Sequence, residues 1–217
     1  MEYLSTRNDK ISEKFEHIFI KGLSDDGGLF LPKQIKKLSD KEFLNLKNLS
    51  YVDLATEIIS RFTGDFCSNE KLHQIVKKSY STFNEHNVVK IKKVEDLHVL
   101  ELFHGPTLAF KDVAMQLIGN FYEYYLNKNT KKINIIVATS GDTGAAAIDA
   151  VKGKKNINIF VLHPNNRISP VQRMLMTTNP SKNVFNIAVE GNFDDCQKLV
   201  KEMFSDLSLI HISEPTR

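Results

Sequence analysis

Ile133-Asn134-Ile135-Ile136-Val137-Ala138-Thr139-Ser140-Gly141-Asp142-Thr143-Gly144-Ala145-Ala146-Ala147-Ile148 changes rhythm twice. The first six residues are mostly apolar and β-branched, as in a strand covered on both faces of a parallel sheet. Two glycines, an aspartate and three hydroxyl residues then interrupt it. Ala145–Val151 continues with small and apolar residues, which predicts a helix. Strand, polar turn and helix together form the repeating unit of a parallel α/β sheet.

The same unit recurs on both sides. Upstream, Val99–Phe103 is a short apolar run ending at His104-Gly105-Pro106-Thr107. A helix is expected next, with Phe110, Val113, Ala114, Leu117, Ile118, Phe121 and Tyr125 at helical spacing. Downstream, Asn158–Leu162 reads as a third strand, Ser169–Thr177 as a third helix, and Val184–Val189 as a fourth strand. A last helix begins near Asn192 and runs to Phe204. The fold class is therefore α/β, a parallel sheet with helices.

Before about residue 94 the rhythm differs. A turn at Asp25-Asp26-Gly27-Gly28 precedes Pro32, and two helices are expected, Asp40–Phe62 and Asn69–Phe83. This predicts a small, mostly helical region over residues 1–93 and an α/β region over 94–207. Residues 208–217 do not continue the pattern and read as a frayed end or a foreign scar.

Composition narrows the function. The 217 residues carry 29 Lys plus Arg against 26 Asp plus Glu, a net +3. The basic residues are scattered in pairs such as Lys77-Lys78, so no stripe for nucleic acid is evident. No apolar stretch reaches the roughly 20 residues that span a bilayer. The start has no signal-peptide pattern, and Cys67 and Cys196 show no metal or disulfide spacing. A cytoplasmic protein with free thiols, no metal site, no nucleic-acid partner and no membrane partner is expected.

In parallel α/β sheets ligands bind beyond the carboxyl ends of the strands, where helices begin. Two turns lie there. Ser140-Gly141-Asp142-Thr143-Gly144 combines close backbone approach, hydroxyls and a helix start, a combination suited to an anion. An ordinary capped turn is the competing reading. The other turn carries Lys111, expected in the first turns of a helix. The helix dipole and desolvation would both lower its pKa there, as Schiff-base chemistry requires. A lysine on a helix is more often a plain surface residue, so Lys111 is a candidate on these grounds and no more. His104 reads as a hydrogen-bonding turn residue rather than a general base. Asp194 and Asp195 read as carboxylates in a first helical turn.

Glu101-Leu102-Phe103-His104-Gly105-Pro106-Thr107-Leu108-Ala109-Phe110-Lys111-Asp112 resembles the lysine segment of bacterial and fungal-type threonine synthases, which use pyridoxal 5′-phosphate (PLP). Ala138–Ala146 is similar to that family's next segment. Ser5-Thr6-Arg7, Gly22–Pro32 and Gly191–Gln197 agree as well, so the likeness runs in order from the start to about Leu207. It implies a fold-type II PLP enzyme, tryptophan synthase β-like. The implied reaction converts O-phospho-L-homoserine and water to L-threonine and phosphate. Lys111 would carry the cofactor and move protons. Ser140, Gly141, Asp142, Thr143 and Gly144 would hold the substrate carboxylate, and Asp142 could also bond the cofactor's ring hydroxyl.

The resemblance further implies an N-terminal fragment, inactive alone. The glycine-rich loop for the cofactor phosphate and the residue facing the pyridine nitrogen would come from sequence beyond it. Two other functions compete: a threonine synthase-like phospho-lyase on a related phosphorylated substrate, and a non-catalytic α/β interaction module.

Overall fold

The computed structural model describes residues 1–205, so the expectation for residues 208–217 lies outside the described residues. The chain divides into two compact units, Met1–Lys78 and Ser79–Arg217.

Beside its four helices the first unit holds a small antiparallel sheet that the sequence pattern did not announce. It begins with β1 (Glu2–Ser5), flanked in an antiparallel sheet by β2 (Ser12–Lys14) and β3 (Phe30–Pro32). Strands of three or four residues are too short to show a period, so the sequence pattern did not reveal them. Tyr3 is buried in β1, and its hydroxyl donates to the Phe62 carbonyl at 2.7 Å. Helix α1 (Phe15–Lys21) contributes Phe15 and Phe19 to an aromatic cluster; the Phe15 ring centroid is 5.3 Å from that of buried Phe66, edge-on. Edge-to-face pairs of this kind add about 0.5–1.5 kcal/mol beyond area burial.

The single helix expected over Asp40–Phe62 is two, α2 (Asp40–Leu46) and α3 (Tyr51–Thr63). Ser50 is extended and its side chain accepts from Asp53 N, so a fresh N-cap interrupts the apolar run. Helix α4 (Asn69–Tyr80) ends three residues before the expected Phe83.

In the second unit the run at Val99 is not part of the parallel sheet. It belongs to β5 (Leu97–Glu101), which pairs antiparallel with β4 (Lys90–Val94) in a hairpin of its own. Glu95 at its tip has φ +54°. Most of both strands is exposed, whereas a parallel strand in this setting would be covered on both faces.

From Asp112 onward the expected alternation holds: α5 (Asp112–Asn129), β6 (Ile133–Ala138), α6 (Asp142–Val151), β7 (Ile157–Pro164), α7 (Pro170–Thr177), β8 (Val184–Val189) and α8 (Phe193–Ser205). The three strands pair in parallel in the order β6-β7-β8, with Ile135 opposite Ile159 and Val161 opposite Asn186. Ile157, Ile159 and Val161 of the central strand are fully buried with Ile148, Val151, Leu126 and Met176. Each such side chain contributes about 1.5–3 kcal/mol relative to exposure. Asp194 and Asp195 do stand in the first turn of α8, and the Asn192 side chain accepts from the backbone N–H of both.

A pH-dependent stability follows from the first unit. Glu42 closes the cap of α2 by accepting from Ser39 N and Ser39 Oγ, both at 2.8 Å, and also faces Arg61. The backbone N–H of Ser39, then its hydroxyl and Arg61, lower its carboxyl from the ordinary 4.5 to about 2. A depressed carboxyl stabilises the fold fully above its unfolded pKa and loses that contribution as pH falls through the folded one. The Glu42 contribution is thus expected to be complete above about pH 4.5 and to vanish toward pH 2. Urea unfolding between those pH values should show a shallower acid loss in Glu42→Gln than in the wild type.

Candidate active site

The turn after β6 is held from the sheet side by one hydroxyl. Thr139 is buried, and its backbone N–H donates to Leu162 O of β7 at 2.9 Å. Its Oγ1 accepts from Gly141 N at 3.0 Å and Gly144 N at 2.9 Å, drawing the loop into a tight arc. Gly141 has φ +141°, a region that L side chains rarely adopt. Ser140 and Asp142 are exposed and Thr143 is half-buried. The first N–H groups of α6, those of Asp142 and Thr143, have no partner within the helix and carry its positive end.

From the other side the loop meets α7. Ser169 and Gln172 form a reciprocal capping box at the start of that helix. The Gln172 side-chain amide also donates from Nε2 to Asp142 Oδ1 at 2.7 Å. The Ser-x-x-Gln spacing was readable as a cap; its bond to Asp142 was not, because it joins residues 30 apart.

Lys111 is not in the first turns of α5. It is the residue just before that helix, its N-cap position, with φ −63° and ψ −23°. Residues 105–111 form a tight turn, with Leu108 N donating to Gly105 O at 3.1 Å and Leu108 at φ +60°. Asp112 fixes this turn. Its carboxylate, fully buried, accepts from Thr107 N at 2.7 Å and Thr107 Oγ1 at 2.6 Å. Gly105 presses on it so closely that a Cβ there would fall 2.4 Å from Asp112 Cβ. Sequence reasoning overlooked Asp112 and Thr107, because a contact five residues apart across a turn leaves no periodic signal.

Lys111 itself is half-buried, with Nζ over the Phe110 ring at 4.3 Å from its centroid. Phe110 is 59% exposed, and Leu108 and Phe103 are exposed too. His104 pairs with Glu101 at 3.1 Å, in keeping with a turn-stabilising role.

Among the described residues no hydrogen bond or ion pair joins Lys111 to residues 140–144. Their elements are linked by α5 packing on α6, where Gln116 Nε2 donates to Asp149 Oδ2 at 2.8 Å. A cavity of about 280 Å³ brings Pro106 and Thr107 of the lysine turn together with Ile148 and Asp149 of α6. The arrangement sets a half-buried lysine over an exposed aromatic ring, and separately a helix start whose loop carries two glycines.

Comparison with known proteins bears on this arrangement. A family model described as threonine synthase N terminus matches residues 2–80. Threonine synthase of Eremothecium gossypii is 43% identical over 220 residues, a match covering 94% of this chain and 43% of the relative. Over 94% of its length the chain is thus similar to the N-terminal part of threonine synthases. The crystal structure of PLP-bound threonine synthase from Brucella melitensis superposes with a TM-score of 0.90 at 44% identity, over 96% of this chain and 45% of that one. Threonine synthase from yeast gives 0.91 at 42% identity, over 96% and 44%. The α/β fold with its parallel sheet is thus the fold of threonine synthases. The chain spans less than half the length of the threonine synthases it matches.

Thr139→Val tests the arc of the loop. The substitution keeps the shape but removes the acceptor of two buried N–H groups. Urea unfolding should show a loss of about 2–4 kcal/mol, with faster amide exchange at Gly141 and Gly144.

Proposed function

We propose that this chain is the N-terminal part of a PLP-dependent threonine synthase, which converts O-phospho-L-homoserine and water to L-threonine and phosphate. The observation that carries the reading is the half-buried Lys111 amine at the Phe110 ring, on a turn fixed by the buried Asp112–Thr107 pair. That turn bears the lysine segment on which the resemblance rests. The PLP bound to the Brucella melitensis relative supports the choice of cofactor.

The residues present fit such a group. An aldehyde cofactor with a planar ring needs an accessible primary amine and an apolar surface beside it, and Lys111 and Phe110 provide both. When bound, PLP supplies the electron sink that makes carbanion chemistry at the amino-acid carbons accessible. Lys111 would hold the cofactor through Nζ and, once displaced by the substrate amine, take and return protons between substrate carbons. Because Asp112 is locked, its neighbour Lys111 has little backbone freedom, which favours a fixed proton path.

The second turn would bind the substrate's other end. The N–H groups of Asp142 and Thr143, with the Ser140 and Thr143 hydroxyls, suit the amino acid's carboxylate. Gly141 and Gly144 let the backbone take the required arc, and Asp142 would also bond the cofactor's ring hydroxyl. On this reading the first unit belongs to the N-terminal domain and the second to the first part of the cofactor-binding domain, with the boundary near residue 78 rather than the expected 93.

The test is turnover in a chain extended to the length of its relatives. Threonine and phosphate should appear in equal amounts from O-phosphohomoserine, and Lys111→Ala should lower kcat by about 10²–10⁴-fold. Release of a 2-oxo acid and ammonia instead, or Lys111→Ala turning over like the wild type, would defeat the proposal.

A further inference from the structure

An aspartate is a poor neighbour for an incoming carboxylate, yet Asp142 opens the helix that the proposed function assigns to one. At this first helical position its side chain is drawn toward the unpaired N–H groups of α6. If it folded back over them it would satisfy them itself and repel the substrate. Among the described residues, the hydrogen bond its carboxylate makes is the one from Gln172 Nε2 at 2.7 Å. Gln172 is in turn immobilised. Its backbone N–H donates to Ser169 Oγ at 3.2 Å, and its Oε1 accepts from Ser169 N at 3.3 Å. One end of the amide therefore closes the cap of α7 while the other holds Asp142. The loop backbone lies against the same amide: a Cβ on Gly141 would stand 2.4 Å from Gln172 Cδ.

We propose that Gln172 is a positioning residue, whose amide holds the Asp142 carboxylate aside and so keeps the start of α6 open to the carboxylate of the amino-acid substrate. This rests on the function proposed above and assigns part of its specificity to α7, outside both turns that carry the family motifs. Glutamine suits the task because it is neutral and two-ended. It accepts for its own helix and donates to the neighbouring loop without adding a charge.

Gln172→Glu separates the two roles. Glutamate still accepts from Ser169 N, since Ser-x-x-Glu is a full capping box. It cannot donate to Asp142 and repels it at hydrogen-bonding distance. In Gln172→Glu/Asp142→Asn the contact returns with donor and acceptor exchanged. In the full-length enzyme, Gln172→Glu should raise KM for O-phosphohomoserine about tenfold with kcat within about twofold, the signature of lost uniform binding. The melting temperature should stay within about 2 °C, because the cap survives. The double variant should return KM to within about threefold of the wild type.

An unchanged KM in Gln172→Glu would overturn the proposal. So would a KM rise that comes with an equal fall in kcat and melting temperature and is not recovered in the double variant, because that marks simple support of α7. Amide exchange followed by mass spectrometry gives a reading free of activity. In Gln172→Ala the Asp142 and Thr143 amides should exchange more slowly, as the released carboxylate turns back onto them, and unchanged or faster exchange would count against the idea. If the wild type turned over no O-phosphohomoserine, the proposed function would fail while exchange still decided whether Gln172 holds Asp142.

Discussion

Thr139 ties the polar loop of this protein to its sheet. Its backbone N–H extends the β6–β7 pairing to Leu162, and its hydroxyl gathers the N–H groups of Gly141 and Gly144. The loop therefore inherits the rigidity of the buried strand beside it, where Ile157, Ile159 and Val161 are closed off from solvent. Were that oxygen absent, two buried donors would lack a partner, at a penalty of about 1–3 kcal/mol each. From the opposite side the Gln172 amide bonds Asp142 and leaves no room for a side chain on Gly141. A loop pinned at a strand end and at a helix start can present its N–H groups without reorganising, and preorganised donors are what electrostatic recognition of an anion needs.

The lysine turn is built on the same plan with the polarity reversed. There a buried carboxylate, Asp112, receives the backbone N–H and the hydroxyl of Thr107. Removing a carboxylate from water is expensive unless its oxygens are bonded. Two short hydrogen bonds and the positive end of α5, whose first residue it is, provide the compensation. The turn is thus over-determined around residues 105–112, and Lys111 has its backbone set by its neighbours while its amine lies over the Phe110 ring.

How much of this the sequence disclosed varies with the range of the interactions. The succession from α5 to α8 was legible because short, largely apolar strand runs alternate with helical ones, and because Ser169 and Asn192 mark helix starts. The N-terminal sheet was not, since β2 and β3 have three residues each and carry no period. The Val99–Phe103 run was read as a strand of the parallel alternation because Val99-Leu100 is apolar, although both residues are exposed and lie in a hairpin. The split at Ser50 did leave a signal, a serine three residues before Asp53, inside a run that looked continuous. In the site, the place of the Ser140–Gly144 loop followed from the strand-turn-helix pattern, whereas Lys111 rose above other lysines only through its resemblance to a family motif. Asp112, Thr107 and Gln172 act through tertiary hydrogen bonds, which no local pattern records.

The central claim is that Lys111 is the amine that carries the cofactor, and reductive trapping tests it most directly. The extended chain would be incubated with PLP, reduced with borohydride, digested and searched for the pyridoxyl mass. The account predicts selective modification of the peptide containing Lys111 and its loss in Lys111→Ala. Labelling spread over the surface lysines, with Lys111 no more modified than Lys152 or Lys131, would contradict it.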